Sequence, residues 1–181
     1  MLKKLSRIRV FGERGFINGF RTGVSLHCHT QHSKEVLDFI PYYAERISLV
    51  ASRFKKEMDI YRTKHGKEMN FAAAYWTPPV SARHVYDAER EQIERVLEAQ
   101  AIVSITDHDT IESGTLLHAL DSYSKVPIST EWTVPYGEAY VHMGVHNLPP
   151  ENSAEIMKDL AEYTTAPVAG RLAEILVDRV G

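Results

Sequence analysis

The chain has 181 residues, enough for one domain with a real core and too few for two ordinary ones. With 44% hydrophobic and 25% charged residues it has the composition of a soluble globular protein, and its net charge of -3 argues against a broad surface for nucleic acid or an anionic membrane. The sequence shows no apolar run near the roughly 18 residues of a spanning helix and no apolar block of a signal peptide at its start, and the single cysteine, Cys28, excludes an intrachain disulfide; together these fit a cytoplasmic protein.

Residues 1–22 read as a basic N-terminal arm, with Lys3, Lys4, Arg7, Arg9, Arg14 and Arg21 against one acid, Glu13. "GVSLHCH" (Gly23–His29) reads as a short strand that carries histidines at its C-terminal end. A long helical stretch follows, near Tyr42–His65, with Ile47, Val50, Ala51, Phe54 and Met58 at helical spacing. "AYWTPPV" (Ala74–Val80) is a loop stopped by Pro78 and Pro79, after which Ser81 caps a helix near Ala82–Ala99. "AIVSIT" (Ala101–Thr106) is an apolar, β-branched run of the kind buried on both faces. A helix over "TIESGTLLHALDSYSK" comes next, then strands "VPIST" and "AYVHMGV", a helix near Ser153–Tyr163 and a last helix at about Ala169–Val180. Alternating strands and helices predict a parallel sheet or barrel of β-α units.

The polar residues concentrate where those strands end. His27 and His29 are two apart, so in a strand they share a face and can converge on one ion. Asp107, His108 and Asp109 directly follow the apolar strand, at the edge where parallel β/α proteins build their sites. An N-cap aspartate explains one of the three, not all of them. Glu131 ends "VPIST", and His142 lies within "AYVHMGV", four residues before His146. Carboxylate and imidazole without thiolate suit Mn, Zn or Fe, or Mg in part.

"LHCHTQHSKE", "SITDHDTIESG" and "ISTEWTVPYGEAYVHMGV" resemble, in order and local context, the first three motifs of the PHP (polymerase and histidinol phosphatase) domain. The resemblance covers roughly residues 23–148. It implies an α/β fold, a distorted β/α barrel that binds two or three divalent metals and hydrolyses phosphoesters. It casts His27 and His29 as first-metal ligands, Glu131 as a bridging carboxylate, His142 as a second-metal ligand and His108 as a third-metal ligand. The family also places a ligand seven or eight residues beyond the first histidine; position 34 is lysine here, so Glu35 takes that role, and Lys34 is free to contact a phosphate. Asp107 and Asp109 are the catalytic candidates, as residues that orient a ligand histidine through its second nitrogen. His146 is a candidate substrate contact at the same rim. The implied partner is a small phosphorylated substrate or nucleotide, and a homo-oligomer is allowed.

Two departures from the family pattern carry expectations of their own. About 78 residues separate His29 from His108, so a helical insertion occupies about 36–100. Nothing after His146 supplies the further histidine and Asp-x-His that the family places downstream. The expectation is therefore a partial barrel lacking its C-terminal part. The alternative function is a catalytically incomplete remnant that binds metal or a partner. Among the remaining candidates, His32 reads as a solvated loop residue, His65, His84 and His118 as surface or helix-packing residues, Cys28 as core, and Tyr42, Tyr43, Tyr75 and Trp76 as packing.

Overall fold

In a computed structural model, the described residues are 19–180 apart from 36, 38, 74–79, 138 and 169. The basic arm up to residue 18 and the Tyr75–Trp76 pair lie outside them. The chain mixes helix and strand around two small sheets, and among the described residues no barrel closes.

The first sheet joins β1 (Thr22–Ser25) to β2 (Gln100–Val103) in parallel, Thr22 opposite Gln100 and Ser25 opposite Val103. A parallel pair needs a crossover, and the helical insertion supplies it. The expected long helix is two, α1 (Phe39–Arg46) and α2 (Ser48–His65), because Ile47 is extended between them. Gly66 ends α2 in the left-handed conformation (φ 66°) that a residue without Cβ adopts most readily. α3 (Ala82–Gln92) runs on into a π turn, Ile93–Leu97. Ser81 precedes α3 but does not cap it; its hydroxyl meets His84 Nδ1 at 2.9 Å instead. The π turn lies against one face of β1, where a Cβ on Gly23 would stand 2.5 Å from Ile93 Cγ2. On the other face, among the described residues, Val24 and Ile102 are exposed, Ile102 by 45% rather than buried as its β-branched neighbourhood predicts.

The second sheet corrects the expectation of all-parallel strands. β3 (Ile128–Tyr136) and β4 (Ala139–Leu148) form an antiparallel hairpin. Only residues 137 and 138 join them, far too few for a crossover. β3 is longer than "VPIST", and Glu131 therefore lies in its interior, paired with Gly144. Near the start of β3 the register shifts between Ile128 and Thr130, and Asn147 takes φ 58° there.

Alternation then sorts the hairpin into two faces. Trp132, Val134, Val145 and Leu148 pack against Ile156, Leu160 and Tyr163 of α5 (Ser153–Thr165) and Ile175 of α6 (Arg171–Ile175). Trp132 is fully buried, and its Nε1 donates to Leu160 O (3.1 Å) and Thr164 Oγ1 (2.8 Å). Glu131 and His142 fall outside this apolar cluster. A smaller cluster of Ala82, Ile105, Leu117 and Val126 joins the segment just after β2 to α3 and to α4 (Glu112–His118). Gly114 lets α4 approach β3 closely: a Cβ there would lie 3.0 Å from Ile128 Cα, a backbone atom that cannot give way.

Candidate metal centre

β1 ends at Ser25, so His27 and His29 stand beyond the strand rather than on it, contrary to the sequence reading. Two bonds carry the parallel ladder past its end, Ser104 N to Ser25 O (2.8 Å) and Thr106 N to Cys28 O (2.9 Å), and these hold the histidine segment beside residues 104–108. A single parallel bridge, His108 with Glu131, then links that segment to β3. Asp109 N donates to Glu131 O (2.9 Å) and Glu131 N to Asp107 O (3.1 Å). Three separated stretches of sequence thus meet at Glu131.

Four candidate histidines converge on Glu131, and the sixth candidate, Glu35, reaches one of them. Glu131 Oε2 lies 3.3 Å from His27 Nδ1, 3.3 Å from His29 Nε2 and 3.7 Å from His108 Nε2, while Oε1 lies 3.4 Å from His142 Nδ1. Glu35 Oε2 lies 3.4 Å from His108 Nε2. The rings of His29 and His108 stack at 4.8 Å, and those of His108 and His142 meet edge-on at 4.6 Å. Two groups of three ligand atoms result, His27–His29–Glu131 and His108–Glu131–His142, with Glu131 common to both.

The donor set fits divalent cations. Glu131 is buried, and its Oε2 has no hydrogen-bond partner among the described residues even though three ring nitrogens surround it. A buried carboxylate oxygen without a partner is costly. Ligand atoms about 2.1 Å from a tetrahedral ion stand about 3.4 Å from one another. That is the spacing between Glu131 and three of its four histidines, as ligands of one ion would have, while His29 Nε2 and His27 Nε2 lie within hydrogen-bond distance of each other at 3.2 Å.

Burial lowers the proton affinity of His29, and the neighbouring His108 and His27 lower it further, against the opposing pull of Glu131 and Asp107. Burial also lowers that of His146. Both rings therefore take up protons less readily folded than unfolded. The stability they contribute is present above the ordinary histidine value of about 6.5 and is lost as pH falls through their lowered folded-state values. The urea midpoint of metal-free protein is expected to drop between about pH 7 and pH 5, and a flat profile would contradict this placement of the two rings.

The remaining site residues divide. Asp107 and Asp109 do not orient a histidine. The buried Asp107 carboxylate accepts from Thr30 N, Thr30 Oγ1 and Ser113 Oγ, and Asp109 accepts from Thr133 N (2.8 Å) and Thr133 Oγ1 (2.7 Å). They tie the three ligand-bearing segments together. Ser33, which the sequence reading passed over, does touch one ring: its hydroxyl meets His29 Nδ1 at 3.5 Å, and it also accepts from the His108 backbone N–H at 3.1 Å. Its only sequence signal is its place between the H-x-H pair and Glu35.

Lys34 donates its backbone N–H to His108 O (3.1 Å). It lines a cleft of about 430 Å³ with Asp109, Trp132, Met157 and Lys158, and none of the six candidate ligands lines that cleft. His146 meets Ser104 Oγ at 2.7 Å. His32 pairs with Glu112 at 3.2 Å, outside the cluster. His65 packs on Tyr61 and His118 meets Val126 O, away from the ligands. Cys28 is half-buried, and burial, with the nearby carboxylates of Glu89 and Asp107, pushes its thiol up to about 12, which keeps it from being a nucleophile. No helix among the described residues is long and apolar enough to cross a membrane. The chain matches no protein-family model, no curated protein and no solved structure.

Proposed function

We propose that this chain is a metal-dependent hydrolase of phosphoesters, built on part of a PHP-type barrel. The observation that carries the reading is the shared carboxylate: Glu131 belongs to two three-residue ligand groups at once and keeps a buried oxygen without a hydrogen-bond partner. His27, His29 and Glu131 would hold one ion, His108, Glu131 and His142 a second, and Glu35 beside His108 extends the set toward a third. The ligand chemistry suits Mn, Zn or Fe, or Mg in part. Such ions, when bound, lower the pKa of water toward neutrality and offset charge on a phosphoryl group.

The protein's own contribution is placement. Bonds from Asp107, Asp109 and Ser33 fix the ligand-bearing segments against one another. His27 and His142 remain 68% and 45% exposed, which leaves one side of the cluster open to a small phosphorylated substrate or nucleotide. The test is turnover of p-nitrophenyl phosphate and bis(p-nitrophenyl) phosphate by protein supplied with Mn, Zn or Fe. Metal-dependent hydrolysis is expected, with at least about tenfold loss in His27→Ala and in His108→Ala. Bound metal without turnover would favour the non-catalytic remnant instead.

A further inference from the structure

His146 is four residues from His142 but does not join the ligand groups. Its ring is held from behind. Ser104 donates its hydroxyl to Ser129 Oγ (2.8 Å), which also accepts from Asn147 N (3.1 Å). With its proton already given to Ser129, the Ser104 oxygen at 2.7 Å from His146 Nδ1 can only accept. Neutral His146 is thereby fixed with the proton on Nδ1 and a lone pair on Nε2.

That lone pair lies over Gly144. Nε2 lies 2.7 Å from where a Cβ on Gly144 would stand, so the ring folds back along β4 over the glycine. Gly144 is the cross-strand partner of Glu131. Side chains at paired positions lie on the same face with Cβ atoms about 5 Å apart, so Nε2 sits on the face of the hairpin that carries the shared carboxylate. The missing side chain at 144 is what makes room for it.

We propose that His146 is a positioning residue whose Nε2 accepts a hydrogen bond from water at the Glu131 cluster and so orients the water that attacks phosphorus. This rests on the hydrolase reading above. In the reaction the water oxygen bonds to phosphorus as the bond to the leaving oxygen breaks; one water proton leaves to solvent, and the leaving oxygen takes one from solvent. His146 changes no bond of its own, and burial keeps it neutral for that role.

The full chain tests this by ¹⁵N NMR of its histidines, with His146→Gln to assign the signals. Metal-free protein is expected to show His146 protonated on Nδ1 and bare on Nε2, and Ser104→Ala to shift the proton toward Nε2. Adding Zn²⁺ is expected to move the Nε2 signal while Nδ1 stays in place. In Mn-loaded protein, Gly144→Ala, which displaces the ring, is expected to lower kcat for bis(p-nitrophenyl) phosphate about tenfold with KM and Mn content unchanged. Zinc bound with Nε2 unmoved, or a wild-type proton on Nε2, overturns the inference alone. Absence of zinc binding overturns both it and the reading it rests on, and a Gly144→Ala kcat within about twofold of wild type, with metal bound, also overturns it.

Discussion

Replacing Glu131 with glutamine is expected to remove both ions at once. The amide keeps the size of the side chain but loses the charge that two ligand groups share. His27→Ala, by contrast, is expected to empty one group and leave His108, Glu131 and His142 intact. The two variants should differ in stability as well. Metal-free Glu131→Gln is expected to unfold within about 1 kcal/mol of wild type, because Oε2 makes no hydrogen bond to lose. What disappears is the gain on adding metal, about 2.7 kcal/mol when free metal is a hundredfold above its dissociation constant. Urea unfolding with and without Zn²⁺ reads both quantities. A Glu131→Gln protein that still gained stability from zinc would place the ions elsewhere.

Asp107→Ala is expected to cost about 3–5 kcal/mol in metal-free protein, a large share of what a domain of this size has. The carboxylate is buried and takes three hydrogen bonds from Thr30 and Ser113. Its removal leaves the Thr30 N–H without its acceptor and loosens the histidine segment from α4. Thr30 Oγ1 and Ser113 Oγ lie 2.7 Å apart and can still bond each other, which limits the loss. Asp107→Asn is expected to cost less, since an amide keeps one acceptor oxygen. A shift below about 1 kcal/mol for Asp107→Ala would contradict the tie described here.

The candidate ligands were legible because their residue types and spacings are local. H-x-H, T-D-H-D and a glutamate on an apolar strand can each be read without knowing the neighbours, and the structure brings His27, His29, Glu35, His108, Glu131 and His142 together. The roles of Asp107 and Asp109 were not legible. A carboxylate beside a ligand histidine looks the same in sequence whether it faces the ring or, as here, Thr30, Ser113 and Thr133 from distant segments. The surroundings of Lys34 were not legible either: its neighbour Glu35 reaches His108, while Lys34 itself lines a cleft against α5.

The strand errors have separate causes. The hairpin was hidden because β3 runs on through "WTVPY" to Tyr136, past Pro135, a residue type that strands rarely hold. The split of the long helix at Ile47 left no Gly or Pro signal in the sequence. The exposure of Ile102 follows from what packs on that face of the sheet, which an apolar run does not encode.

On the proposed function, Glu131 is shared between two metal ions. Metal content of the purified protein, loaded with Zn²⁺ or Mn²⁺ without chelator and freed of excess, tests it most directly. About two equivalents per chain are predicted for wild type, about one for His27→Ala and none for Glu131→Gln. Less than about 0.2 equivalents in the wild type, or two equivalents retained in Glu131→Gln, would contradict it.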